Sequence, residues 1–201
     1  MPVMKNREYR SIDMLQPIQN EKRIDSDYYV EGLATTFKPY QLYEYDGVKY
    51  YEKIDRNALD SADMSDVIMQ YNHEGRVLAR NTNKTLGIEP IDDGLFIYAD
   101  LGKSKASKEM FEEIDSGLVT RMSWAFTVAE DSYNSETRTR TILKVKKVYD
   151  VSAVSLPANN DTEISARSYF DGVIEIEKQE LLERKRVLEL AKAKILFIKE
   201  L

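Results

Sequence analysis

The chain has 201 residues, no cysteine, one histidine, and 29 Lys and Arg against 35 Asp and Glu, for a formal charge of −6. That length suffices for one domain with its own buried core, and the absence of cysteine excludes thiol catalysis, disulfides and cysteine-ligated zinc. The acidic balance argues against nucleic-acid binding through bulk charge, a lone histidine leaves no transition-metal ligand set, and no apolar run reaches the ~20 residues that cross a bilayer.

The first stretch, residues 1–25, is polar and without period, so it is expected to be irregular or to form an edge segment. It lacks the apolar stretch of a signal peptide, and the expectation is a soluble protein made in a cytoplasm. From Tyr28 the texture changes: "YYVEGLATTF" is β-branched and aromatic and predicts a strand over 28–37. Asp46-Gly47, set between two tyrosine-rich stretches, predicts a hairpin turn. Asp55 can cap a short helix through "RNALDSAD". "DVIMQYNH" is a strand candidate, and Leu86–Glu89 and Leu95–Leu101 are two more around an Asp92-Asp93-Gly94 turn. "SKASKEMFEEIDSG" switches to helical character, with Ser104 as cap, Met110, Phe111 and Ile114 on one face, and Gly117 as stop.

Two extended runs follow, residues 118–130 and 139–158, joined by the polar "DSYNSE". From Asp171 the chain is helical and charged, with Ile174, Leu181, Leu188 and Ile195 on one heptad position. The division expected is a polar segment 1–25, a body 26–170 and a helix 171–201, packed on the body or paired with a partner helix. About seven strands with helices outside them predict an α+β fold built on a mainly antiparallel sheet or a closed barrel. No glycine-rich phosphate loop follows any strand, so no nucleotide cofactor is expected. A carboxylate site for magnesium stays open.

Three polar residues stand out against the apolar runs that hold them. In "GLVTRMSWAFTVAE" alternation puts Met122, Trp124, Phe126 and Val128 on the core face. Arg121, Ser123, Ala125 and Thr127 fall on the other, where a serine is ordinarily a plain solvent-facing residue. Asp150 lies inside an apolar extended run, where acids are depleted and a buried one needs a partner, either a nearby Lys or Arg or a strand end. His73 is a surface residue, a satisfied core residue, a ligand or a base. A serine hydroxyl becomes a nucleophile when a base takes its proton, and a histidine base needs a third group to fix its tautomer. The local pattern allows that constellation without requiring it: the order His, Ser, Asp differs from the familiar triad orders, and no Gly-x-Ser-x-Gly elbow is present.

The blocks "YNHEGRVLAR", "GLVTRMSWAFTV" and "VYDVSAVSLPANNDT", in that order, resemble the signature blocks of the tailed-phage prohead (capsid maturation) proteases, and "VEGLATTF" resembles their opening strand. The resemblance covers roughly residues 28 to 165. It implies a fold related to the herpesvirus assemblin proteases, a closed or partly closed barrel of mainly antiparallel strands surrounded by helices. It implies His73 as the base and Ser123 as the nucleophile. Assemblins use a second histidine as the third member, which this chain lacks. Phage members tend to carry an acid in that block, here Asp150, with Glu74 and Glu130 as alternatives. By analogy the oxyanion donors are backbone groups of Ala158 or Asn159, after Pro157, and Arg121 is a supporting charge.

The implied activity is a serine endopeptidase without metal or cofactor. Its implied substrates are the major capsid protein's scaffolding extension or a separate scaffold, and the protease itself by autocleavage. Its implied place is inside the immature capsid in the host cytoplasm, with no nucleic-acid or membrane partner, and the assemblin likeness implies a homodimer. The terminal helix would serve incorporation or scaffold pairing. The competing reading is a non-catalytic scaffold or chaperone that keeps the protease fold.

Overall fold

The computed structural model describes residues 7–12, 15–16, 22–155 and 160–199. In chain order the elements are β1 (Glu8–Ile12), β2 (Leu15–Gln16), β3 (Tyr29–Thr36), β4 (Tyr40–Tyr45), β5 (Val48–Ile54), β6 (Ile68–Tyr71), β7 (Glu74–Arg80), β8 (Leu86–Ile91), β9 (Gly94–Asp100), α1 (Lys105–Asp115), β10 (Arg121–Asn134), β11 (Thr139–Val154) and α2 (Asn160–Lys199). The two long apolar runs of the sequence become β10 and β11, an antiparallel pair that organises the body. A seven-stranded sheet runs in the order β1-β10-β11-β5-β4, with β6 parallel to the second half of β11 and β7 paired to β6. A four-stranded sheet runs β2-β3-β9-β8.

The fold is α+β and its sheets are mainly antiparallel, as the sequence predicts. The expected barrel closure is not found: among the described residues no ladder joins the two sheets into a ring. They meet instead through side chains. Val30 and Ala34 of β3 and Leu95, Ile97 and Ala99 of β9 share one buried cluster with Met122, Trp124, Phe126 and Val128 of β10 and Val148, Val151 and Ala153 of β11. The short helix expected after Asp55 is also absent. Residues 56–61 form successive turns, with Ala58 N–H donating to the Asp55 carbonyl and Asp60 N–H to Asn57, and the Asp55 carboxylate caps the first turn through Asn57 N–H. α1 forms as expected: Ser104 accepts from Ser107 N–H at its start, Met110 and Ile114 are buried, and Gly117 leaves it at φ 74°.

The polar N-terminal segment contributes an edge strand with an unexpected buried side. Glu8 and Arg10 of β1 are 0% and 3% exposed and join Glu52 of β5, Asp131 of β10 and Arg140 of β11. Arg10 donates to Glu52 (Nε–Oε1 2.5 Å, Nη2–Oε2 2.7 Å) and to Glu8 (2.6 Å), and Arg140 donates to Glu8 (2.6 Å), Glu52 (3.2 Å) and Asp131 (2.7 Å). Tyr40 donates to Glu52 at 2.6 Å, and the Tyr169 ring of α2 lies 4.1 Å from the Arg140 guanidinium. Burial alone would push the Glu8 carboxyl up, but the charge of Arg10 and the hydrogen bonds and charge of Arg140 outweigh it and hold it below the ordinary value.

α2 begins at Asn160, so the boundary expected at residue 171 falls inside the helix. Its first part is packed: Tyr169, Phe170, Val173 and Ile174 are buried with Tyr50, and Phe170 stacks on Tyr43 at 5.9 Å. Farther along, the heptad residues Leu181 and Leu188 are 54% and 55% exposed. No helix of the described residues is long and apolar enough to cross a membrane.

Two outcomes follow. Phe170→Ala should cost about 3–5 kcal/mol in urea unfolding, whereas Leu188→Ala should stay within about 0.5 kcal/mol; equal losses would mean that the distal helix is packed as well. Because the Glu8 carboxyl is depressed in the folded chain, its contribution is complete above the ordinary glutamate value, about 4.3, and is lost as pH falls through the lower folded value. The melting temperature of Glu8→Gln should therefore fall less steeply with acid than that of the wild type, and parallel curves would contradict the assignment.

Candidate active site

Register places the polar residues of β10 and β11 together. Ser123 lies directly across from Ser152, and Ala125 directly across from Asp150. Facing residues of an antiparallel pair project to the same side of the sheet, so Ser123, Ala125, Asp150 and Ser152 share one face, and Met122, Trp124 and Phe126 fill the other. The face carrying Ser123 is not open to solvent, contrary to the plain reading of a half-exposed strand. Ser123, Ala125 and Thr127 are 2%, 0% and 7% exposed, so β10 is covered on both sides.

His73 reaches this face from the β6–β7 hairpin. Tyr71 pairs with Glu74, leaving Asn72 and His73 as a two-residue turn at φ 50° and 61°. Positive φ at both central positions is the requirement of a type I′ hairpin turn, usually met by Asn-Gly. Asparagine fits the first position; a histidine at the second holds a left-handed backbone that costs a residue with a Cβ about 1–3 kcal/mol. The turn is fastened to the end of β11: Asn72 N–H donates to the Ala153 carbonyl at 2.9 Å, and the Asn72 side chain accepts from Ser155 N–H at 3.1 Å.

So held, the His73 ring meets Asp150 through Nδ1 at 2.5 Å. The Asp150 carboxylate is 3% exposed and its Oδ1 also accepts from Ser152 Oγ at 2.7 Å. On the other side the ring meets the edge of Tyr9, 4.6 Å between centroids. Tyr9 of β1 and Asp150 of β11 both stand opposite Ala125. The imidazole therefore bridges the face above Ala125, where only a small side chain leaves room for it, one same-face position from Ser123. Its Nε2 is buried with no hydrogen-bond partner among the described residues. With Nδ1–H donated to the carboxylate, Nε2 carries the lone pair that can accept a proton.

The acids weighed against Asp150 lie elsewhere. Glu74 and Glu130 are both exposed, and Glu130 is paired with Lys144 at 2.6 Å. Arg121 stands at the start of β10, opposite Val154. Ala158 and Asn159, with Pro157, fall outside the described residues. A cavity of about 420 Å³ opens beside the hairpin, lined by Tyr71, Asn72, Glu74, Arg76, Met110 and Glu113 among others. No three His, Asp or Glu side chains among the described residues converge as metal ligands would.

Sequence reasoning missed Tyr9, the clamp through Asn72, and Ser152. Ser152 was within reach, since it sits two residues from Asp150 on an alternating strand. Tyr9 was not, because nothing local says which strand takes the free edge of β10.

Ser123 and Asp150 thus share one face of the sheet, and the His73 ring that bonds Asp150 makes no hydrogen bond through Nε2 to the serine. A family model described as caudovirus prohead serine protease matches residues 17–173, and the chain belongs to that family. Comparison with curated proteins and with solved structures gives no match.

Nitrogen NMR of the imidazole at alkaline pH should find the ring proton on Nδ1, and Asp150→Asn should disturb that preference. A wild-type ring protonated on Nε2 would overturn the arrangement. Ala125→Leu, which fills the space under the ring, should weaken the His73–Asp150 bond in the same spectra.

Proposed function

We propose that this chain is a serine endopeptidase of prohead maturation in which Ser123, His73 and Asp150 act together. Ser123 Oγ attacks the scissile carbonyl, His73 Nε2 takes its proton and then gives it to the leaving amine, and Asp150 holds the ring with Nε2 free and stabilises the imidazolium. The observation that carries this reading is the His73 ring bonded to Asp150 at 2.5 Å with its Nε2 unpartnered, Asp150 facing Ala125 and Ser123 standing one same-face position along β10. Ser152 supports the carboxylate. The resemblance adds backbone donors at Ala158 or Asn159 for the oxyanion and Arg121 as a charge near it.

Substrates follow from the family: the capsid protein with its scaffolding extension or a separate scaffold, and the protease itself. The site of action is the interior of the immature capsid in the host cytoplasm, where enclosure raises the effective concentration of enzyme and substrate. A homodimer accords with the assemblin likeness. The distal part of α2, whose leucines are exposed, is the element to pair with scaffold. One observation favours the second reading, a non-catalytic assembly module: Ser123 is only 2% exposed.

Co-expression with the capsid protein separates the two. Wild type should give shortened capsid bands, and Ser123→Ala only full-length ones; identical bands would remove the peptidase reading. Asp150→Asn should lower kcat by up to about 10⁴, the loss known when a triad acid becomes an amide.

A further inference from the structure

Ser123 is 2% exposed and the His73 side chain 10%, so neither can meet a peptide without a rearrangement. β1 is the element placed to make one. It is the edge strand of the seven-stranded sheet and runs antiparallel to β10, with Ser11 opposite Ser123 and Tyr9 opposite Ala125. The Tyr9 ring closes on the His73 ring from that side. An extended peptide that presents a carbonyl to a residue on a strand gains most of its backbone hydrogen bonds by pairing with that strand's edge. One edge of β10 is held by β11, and the other, alongside Ser123, is held by β1. β1 also precedes residue 17, where the match to the family model begins.

We infer that this edge of β10 is the surface that takes the substrate backbone, and that β1 is its built-in occupant: a segment of the chain itself, seated as an extended peptide against the nucleophile's strand, which must leave before a substrate can enter. The inference rests on the peptidase reading above. The side chains of β1 divide the work. Tyr9 faces the site, and Glu8 and Arg10 face the other way into the buried ion network. Cover and anchor are therefore separate residues. The anchors carry one negative and one positive charge, so their departure leaves the net charge of the network unchanged. Glu52, Arg140, Asp131 and Tyr40 stay bonded to one another. Removal of a single partner would instead strand a buried charge, which is what makes such networks costly to break. The anchor thus keeps β1 seated firmly yet permits it to leave as a neutral unit.

The test uses the full chain and a fluorophosphonate probe, which phosphonylates an activated serine: Oγ bonds to phosphorus, fluoride leaves, and the hydroxyl proton passes to the base. Four forms are compared: wild type, Ser123→Ala, the paired substitution Glu8→Gln with Arg10→Met, and a chain with a site-specific protease recognition sequence inserted after Lys22, assayed before and after cutting. The paired substitution and the cut chain should label at least about tenfold faster than wild type and the uncut chain, as expected when the competent form is a minor population, and Ser123→Ala should not label. Equal rates in all folded forms would overturn the role of β1. So would loss of the native circular dichroism in both loosened forms, which would make β1 an integral strand. Rapid labelling of wild type would remove only the occupant and leave the peptidase reading standing. Absence of labelling in every folded form, with no capsid processing, would remove both.

Discussion

The register of β10 against β11 is the constraint from which the rest follows. It sets Ser123 across from Ser152 and Ala125 across from Asp150. A slip of one residue would turn every side chain of one strand to the opposite face, sending the serine into the core and the tryptophan out of it. The register is protected because the other face is a wall of large apolar side chains, Met122, Trp124 and Phe126, stacked against β3 and β9. Packing of the core and placement of the polar residues are therefore one decision: the side that must be dry fixes which residues remain for chemistry.

How much of this the sequence reveals depends on how local each determinant is. Alternation within "RMSWAFTV" sorts the faces of β10 without any knowledge of its neighbours, and Ser104 and Gly117 mark the ends of α1 from adjacent residues alone. Asp150 is conspicuous because a carboxylate in an apolar strand must be paired, and its partner proves to be His73. The failures are non-local. β7 buries few side chains, Leu78 and Ala79 among them, and so offers little period to read. Glu8 and Arg10 look like surface charges until Glu52 and Arg140, from distant strands, close around them. Residues 56–61 have helical composition, but the Asp55 carboxylate caps a turn there, and the chain leaves in successive turns. Whether the strands close into a barrel is a matter of pairing between sheets, which no local pattern carries.

The two ends of the molecule meet at the ion network. Arg140 bonds Glu8 from the N-terminal strand and lies against the ring of Tyr169 from the C-terminal helix. Nearby, Phe170 and Ile174 close a second apolar cluster over β4 and β5. The network is thus a joint between segments far apart in sequence, set on the face of β10 and β11 opposite to His73. Its charges are bonded to one another.

The turn that carries His73 has a consequence for how the fold and its chemistry are balanced. Asn72 and His73 occupy the two positions at which Asn-Gly would make the most relaxed hairpin. A chain selected for rigidity alone would carry glycine at 73, and the histidine persists there against the conformational preference of its own backbone. The strain of the turn and the bond of its ring to Asp150 therefore meet at one residue. His73→Gly would relax that backbone but also remove the ring that bonds the buried Asp150 carboxylate, leaving a charge without its partner, so the strained residue is the one the packing around Asp150 requires.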